Sequence, residues 1–347
     1  MAPNMSVPPF SVLDLAPVAS GSTSAQALRN TLDLARHAEA LGYHRYWLAE
    51  HHNMPGIASS ATAVLIGQVA AATERMRIGS GGVMLPNHAP MVVAEQFGTL
   101  EALYPGRIDL GLGRAPGTDQ ATARALRRSP DALSVDDFPE QVAELRGYFH
   151  PDSAVTPAAG NEPPVWLLGS SGYSARLAGL LGLPFAFAHH FSAENTLPAL
   201  HLYRESFRPS PALERPYAMI AVSVTAADSD ERARELAAPQ ALSFLRLRQG
   251  RPGPLPTPEE AAAHPYTPLE REIIRARMDS QVVGGPDTVR RQMDALIEQT
   301  AADEVMVTTM VYDHADRVRS YELLAGLYGL RPEAVAPTGQ PAGQPSA

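Results

Sequence analysis

H-R-Y-W-L-A-E-H-H-N (residues 44–53), R-I-G-S-G-G-V-M-L-P-N-H (77–88) and G-R-I-D-L-G-L-G-R-A-P-G-T-D (106–119) share one design. Each opens as a short, strand-like segment and stops in a cluster of polar, glycine or proline residues. Two windows of helical length, 60–73 and 89–103, lie between them. Strand, helix, strand, helix, strand is the repeat of a parallel α/β fold, whose active site gathers where the strands end. Here those ends carry Glu50, His51, His52, Gly81, Gly82 and Arg114, residue types suited to catalysis and binding.

The repeat extends in both directions. An apolar run at 10–15 stops at Ala16 and Pro17, and Ser24 is placed to cap a helix in which Leu28, Leu32, Ala35 and Ala38 recur at helical spacing before Gly42. Val142, Leu145 and Phe149 mark a helix over 135–148, and the proline-rich stretch 152–164 is expected at the surface. Further strands are expected at 165–168, 185–188, 217–225 and 304–309, with helices over 174–181 and 315–327. Eight strands, near residues 10, 46, 78, 108, 165, 185, 218 and 305, predict a closed (β/α)8 TIM barrel. Segment 249–268 holds six prolines and two glycines before a charged helix at 269–277, too much for an ordinary connection. It is expected to be an insertion between strands 7 and 8 that forms a mobile lid, since its prolines cannot join a helix interior or a central strand. A single domain over 1–331 and a disordered tail over 332–347, rich in Pro, Gly, Gln and Ala, complete the expected layout.

Composition narrows the function. With 45% hydrophobic and 19% charged residues, the 347-residue chain has apolar material for a large core. The formal charge of -9 and the absence of a broad basic surface argue against nucleic acid as a partner. There is no cysteine, which excludes disulfides, thiolate nucleophiles and cysteine metal sites. The first residues lack the pattern of a signal peptide, and no apolar stretch approaches the roughly 18 residues of a membrane span. A soluble cytoplasmic protein is expected.

The strand-end residues then carry the chemistry. A histidine there can act as general acid or base, or donate to an anion. Adjacent strand residues point to opposite faces, so at most one of His51 and His52 easily faces a pocket, the other reading being a loop cap. His189 and His190 repeat the situation. Four such histidines raise the question of a metal, but barrel hydrolases that use one carry His-x-His on the first strand, where this chain has no histidine, and no metal is expected. Arg114 suits a phosphate or carboxylate, or else a salt bridge to Asp109 or Glu50. The G-S-S-G-Y turn at 169–173 opens a helix, so its free N–H groups with Ser170, Ser171 and Tyr173 suit a phosphate monoester, the alternative being a plain serine N-cap. Gly81 and Gly82 either leave a flat floor for a planar ring or mark a bulge.

Taken together, W-L-A-E-H-H, G-S-G-G-V-M-L-P-N-H and R-I-D-L-G-L-G-R-A-P-G-T-D, followed in order by L-L-G-S-S-G-Y-S-A and V-V-G-G-P-D-T-V, resemble the bacterial luciferase-like flavin monooxygenases over most of residues 6–330. That resemblance implies a (β/α)8 barrel with FMN at the strand C-termini. It implies His51 as the active-site histidine, a cis peptide at Gly81 and Gly82 under the flavin ring, and phosphate binding by Arg114, Gly169, Ser170, Ser171 and Tyr173. It also implies reduced FMN supplied by a separate NAD(P)H:flavin reductase, oxygenation of a small organic substrate with O2, and a homodimer built through the helices at 60–73 and 89–103. The absence of a G-x-G-x-x-G motif agrees with NAD(P)H being handled elsewhere. One departure matters: bacterial luciferase has a reactive cysteine beside the flavin where this chain has Gly113, so light emission and long-chain aldehydes are not carried over. Two alternatives stand beside this reading, an F420-dependent hydride-transfer enzyme on the same fold and a flavin-binding protein without catalysis.

Overall fold

The computed structural model describes residues 7–115, 119–126 and 137–332. Within them the chain runs β1 (Phe10–Asp14), α1 (Ser24–Leu41), β2 (Arg45–Leu48), α2 (Thr62–Ala72), β3 (Arg77–Ser80), β4 (Val83–Met84), α3 (Pro90–Leu103) and β5 (Ile108–Gly113). It continues through α4 (Gln120–Leu126), α5 (Phe138–Phe149), β6 (Val165–Gly169), α6 (Gly172–Leu181), β7 (Phe185–Phe187), α7 (Thr196–Ser206), β8 (Ala218–Ala226) and α8 (Asp230–Arg248). Last come α9 (Pro258–Ala263), α10 (Pro268–Met278), β9 (Val282–Gly284), α11 (Pro286–Thr300), β10 (Glu304–Thr308) and α12 (His314–Tyr328).

The strands pair in parallel in the order β10-β1-β2-β3-β5-β6-β7-β8, and β8 pairs back onto β10. That closes the barrel with the eight strands the sequence predicts. Both faces of each strand are buried, which is why the strands read as continuous apolar runs. Outward residues such as Val12, Tyr46, Ile78, Leu110 and Phe185 pack under the helices. Inward ones, Leu13, Trp47, Ala49, Trp166, Ala186, Met219, Ala221 and Met306, fill the barrel itself. Two strands were not anticipated: β4 pairs with β5, and β9 extends from β8.

Local details adjust the boundaries. Thr23, rather than Ser24, caps α1 by accepting from the Gln26 N–H, and α1 ends at Gly42 with φ 88°. A Cβ on Gly42 would lie 2.3 Å from the Arg331 backbone, so glycine is required there twice over. The helix expected at 135–148 appears as α5, with residues 135 and 136 outside the described range. The tail from 333 onward is likewise outside it. The stretch after α5 is less superficial than expected, since Ala158 is fully buried and lies where a Cβ on Gly98 of α3 would collide. The insertion between the seventh and eighth barrel strands is present and carries α9 and α10. It is pinned at Leu255, whose N–H donates to the Val18 carbonyl and whose carbonyl accepts from the Ser20 N–H.

The N-terminal end of the barrel is closed by charge. Arg45 donates from Nε to both carboxylate oxygens of Glu304 at 3.0 Å and from Nη1 to Asp109 at 2.8 Å. Arg77 donates to the other Asp109 oxygen at 3.0 and 2.6 Å, and the Trp47 indole N–H adds a bond at 3.1 Å. Glu304 also accepts from the Tyr217 hydroxyl at 2.9 Å and from Ser11. The Arg45 guanidinium stacks 4.9 Å from the Trp166 ring centroid. Burial alone would raise the Asp109 pKa, but the two arginines outweigh it and hold the carboxyl below its ordinary range.

Candidate functional site

At the opposite end, the strand C-termini surround two adjoining cavities. The inner one, of about 230 Å³, is floored by the small and apolar inward residues Leu13, Trp47, Ala49, Ala186, Ala221 and Met306. The outer one, of about 840 Å³, rises between the barrel mouth and the insertion, with α8 and α10 as walls. Leu15, His51, His190 and Phe191 line both, and so form the passage between them.

Of the residues singled out from sequence, His51, Gly81, Gly82, Arg114, Gly169, Ser170 and Ser171 all line the inner cavity. The Gly81-Gly82 peptide is cis. A Cβ on Gly82 would sit 2.2 Å from Leu168 Cδ1 and 2.7 Å from the Gly111 carbonyl, and one on Gly81 2.6 Å from Leu13 Cδ1. Close packing of the strand ends therefore already accounts for both glycines, and their bare backbone forms part of the cavity wall. Gly113 lies beside them, where a Cβ would meet the Met84 side chain at 2.6 Å.

Arg114 has no carboxylate partner among the described residues. The two acids considered for it are engaged elsewhere, Asp109 with Arg45 and Arg77, and Glu50 with His52 and His88. The Arg114 guanidinium instead stacks 4.1 Å from the centroid of the exposed Tyr173 ring. Tyr173 is not among the residues lining the cavity and touches Arg114 instead. The serine N-cap reading also fails, because Ser171 at the N-cap of α6 makes no side-chain capping bond. Arg114, Ser170 and Ser171 line the cavity beside the start of α6, where Arg114 stacks on Tyr173. Such a donor set, with no acid to neutralise it, fits a phosphate group.

His51 and His52 lie beyond the end of β2 and point to different surroundings. His51 faces the cavities, and its backbone N–H donates to the Ser59 carbonyl at 3.0 Å. His52 turns away and donates from Nε2 to Glu50 Oε1 at 2.9 Å. His88 donates to the same oxygen at 2.8 Å. Burial works to raise the Glu50 pKa, but the two imidazole hydrogen bonds prevail and hold it below the ordinary glutamate range. Ligand-type atoms of Glu50, His52 and His88 lie within 4.8 Å of one another, and in this arrangement both Nε2 positions are committed to the carboxylate. His88 was the member of this group that sequence reasoning did not weigh.

His189 and His190 also part company. His189 bonds through Nδ1 to Thr196 Oγ1 at 2.8 Å. His190 lines the passage, buried, with Nδ1 2.9 Å from the Ala221 carbonyl. A carbonyl can only accept, so the proton sits on Nδ1 and Nε2 is left as an acceptor. Burial lowers the His190 pKa to about 4, which keeps the ring neutral at ordinary pH. No helix among the described residues is long and apolar enough to cross a membrane.

The profile of the luciferase-like monooxygenases matches residues 9–304. The chain belongs to the luciferase-like monooxygenase family. It is 52% identical over 319 residues to a luciferase-like monooxygenase of Escherichia coli (strain K12), covering 90% of this chain and 95% of that one. It is 32% identical over 327 residues to the N-acetyl-S-alkylcysteine monooxygenase of Bacillus subtilis (strain 168), covering 91% of this chain and 97% of that one. Among solved structures, apo-MsnO8 superposes with a TM-score of 0.88 at 40% identity over 94% of this chain and 100% of that one. Looser likenesses, which speak to the fold alone, include an FMN complex of the oxygenating constituent of 3,6-diketocamphane monooxygenase (TM-score 0.70, 18% identity) and an F420-dependent secondary alcohol dehydrogenase (TM-score 0.66, 14% identity).

Proposed function

We propose that this oxidoreductase is an FMN-dependent monooxygenase that uses reduced FMN from a separate NAD(P)H:flavin reductase and O2 to oxygenate a small organic substrate. The observation that carries this reading is Arg114, with no carboxylate partner among the described residues, beside an α6 N-terminus that has no side-chain cap, in a cavity walled by the Gly81-Gly82 backbone. Arg114, Ser170, Ser171 and the α6 N–H groups would hold the phosphate, and Gly81 and Gly82 would lie against the ring. The bound reduced flavin would supply the activation of oxygen. His51, in the passage between the cavities, would hold or move a proton where the two reactants meet. His190, neutral and fixed by Ala221, would offer a lone pair at the same place. The apolar residues around them, Leu15, Phe191 and Met306, would keep water from the reaction.

Oxygen uptake with reduced FMN, followed alongside absorbance titrations with FMN and F420, tests this. Uptake and FMN binding are expected. Binding of F420 without FMN, and no oxygen consumption, would favour hydride transfer instead.

A homodimer through α2 and α3 is part of the same proposal. Val64 on α2 and Met91, Val92 and Leu103 on α3 are exposed apolar side chains, and the alanines and glycine of α2 permit close approach. A monomer by light scattering at micromolar concentration would refute it.

A further inference from the structure

The outer cavity is mostly apolar, walled by Phe244, Leu247, Leu255 and Ile273 among others, yet exposed Arg248 and the deeper Arg277 also line it, and Arg277 forms no ion pair among the described residues. Arg277 of α10 is half-buried there, with its guanidinium 4.9 Å from the Phe244 ring centroid and Nη1 donating to the His190 carbonyl. No other hydrogen bond and no ion pair of this side chain is found among the described residues. Two carboxylates reach the same cavity, Glu194 and Glu272, but both are exposed and neither pairs with Arg277.

Other inward arginines of this molecule are treated differently. Arg45 and Arg317 each face buried carboxylates. Arg107, which also lacks an acid within bonding distance, spends its N–H groups on the carbonyls of Ala70, Thr73 and Met76 and on the Thr73 hydroxyl. Arg277 does neither, and burial accordingly lowers its pKa where carboxylates raise those of Arg45 and Arg317. Holding such a charge in apolar surroundings is costly unless a partner arrives. Two further polar atoms lining this cavity, Gln240 Oε1 and Thr308 Oγ1, are buried without a hydrogen-bond partner.

We infer that the outer cavity binds an apolar molecule bearing a carboxylate, with the carboxylate on Arg277 and the carbon chain along Phe244, Leu247 and Ile273. Calling that molecule the substrate rests on the monooxygenase reading; the anion seat itself does not. The seat lies next to His190, so a ligand held there extends through the passage toward His51 and the inner cavity.

Calorimetric titration of the full chain with octanoate and with octan-1-ol, in the absence and presence of FMN, tests the seat without any turnover. The wild type should bind octanoate more tightly than octanol. Arg277→Met should lose octanoate affinity by about tenfold or more, the scale of one charge-assisted contact, while octanol binding stays within about twofold. Arg277→Lys should retain part of the preference. Unaltered octanol binding reports that each variant is folded. Equal affinity of the wild type for acid and alcohol, or an unchanged octanoate affinity in Arg277→Met, would overturn the inference. Octanoate binding that follows Arg277 in a protein that consumes no oxygen with reduced FMN would keep the seat and remove the monooxygenase reading.

Discussion

The two ends of this barrel handle charge in opposite ways. At the N-terminal end Arg45 and Arg77 meet Asp109 and Glu304, and the cluster is sealed by Trp47, Trp166, Ser11 and Tyr217. At the C-terminal end Arg114 and Arg277 line cavities without forming an ion pair among the described residues. A buried charge that is matched within the protein holds the fold together. One left unmatched is open to an incoming anion, so on the proposed reading the difference separates structural from binding residues more sharply than residue type does.

Removing Arg45 should have the largest effect on this contrast. Arg45→Met leaves Glu304 with only the Tyr217 and Ser11 hydroxyls and Asp109 with one arginine, and losing one partner of a buried pair costs about 3–5 kcal/mol. Urea unfolding should show that loss, while Arg277→Met should leave stability unchanged or raised, because it removes an unpaired cation. Comparable losses in both variants would erase the distinction.

His51→Ala should leave flavin binding intact and lower coupled turnover on the order of 10² to 10⁴-fold, the usual contribution of a general acid or base, with more hydrogen peroxide released. Full coupled activity in the variant would pass the role to His190, the other histidine of the passage.

Acidity offers a smaller probe of the same end. The folded His190 pKa of about 4 lies below its ordinary 6.5, so the unfolded chain takes up the proton first. Its contribution to stability is therefore intact above about pH 6.5 and lost as pH falls toward 4, with a slope of up to about 1.4 kcal/mol per pH unit. His190→Asn, which keeps a donor for the Ala221 carbonyl, should flatten the melting curve over that window. An identical pH dependence in both proteins would mean that His190 is not held neutral by its surroundings.

The insertion sharpens the comparison on the catalytic side. Pro252, Gly253 and Leu255 wall the outer cavity. Replacing residues 251–265 by a short Gly/Ser linker should raise peroxide released per oxygen consumed, since a breached wall admits water. Unaltered coupling in a folded variant would deny the segment a role as a lid.

Much of this was legible in the sequence because each barrel strand is buried on both faces and ends abruptly. Glu50, His51, Arg114 and the 169–173 turn could be placed at one mouth from order alone. β4 and β9, two and three residues long, are too short for any periodicity to show. His88 follows a tight turn at Leu85–Asn87 that carries it to Glu50, a return that strand spacing does not encode. His190 could not be told from His189 by parity, because β7 stops at Phe187 and the chain turns before either residue. Arg277 was out of reach for another reason: its meaning depends on forming no ion pair among the described residues, and that is a property of the folded surroundings rather than of α10.

The most direct test of an unmatched charge as a binding residue is at Arg114. Fluorescence titrations should show the wild type binding FMN more tightly than riboflavin, which lacks the phosphate. Arg114→Ala should weaken FMN binding by about 1.5–3 kcal/mol and leave riboflavin binding unchanged. FMN affinity unaltered in Arg114→Ala, with riboflavin bound equally well by both proteins, would contradict the phosphate seat and the division of labour between the two ends of the barrel.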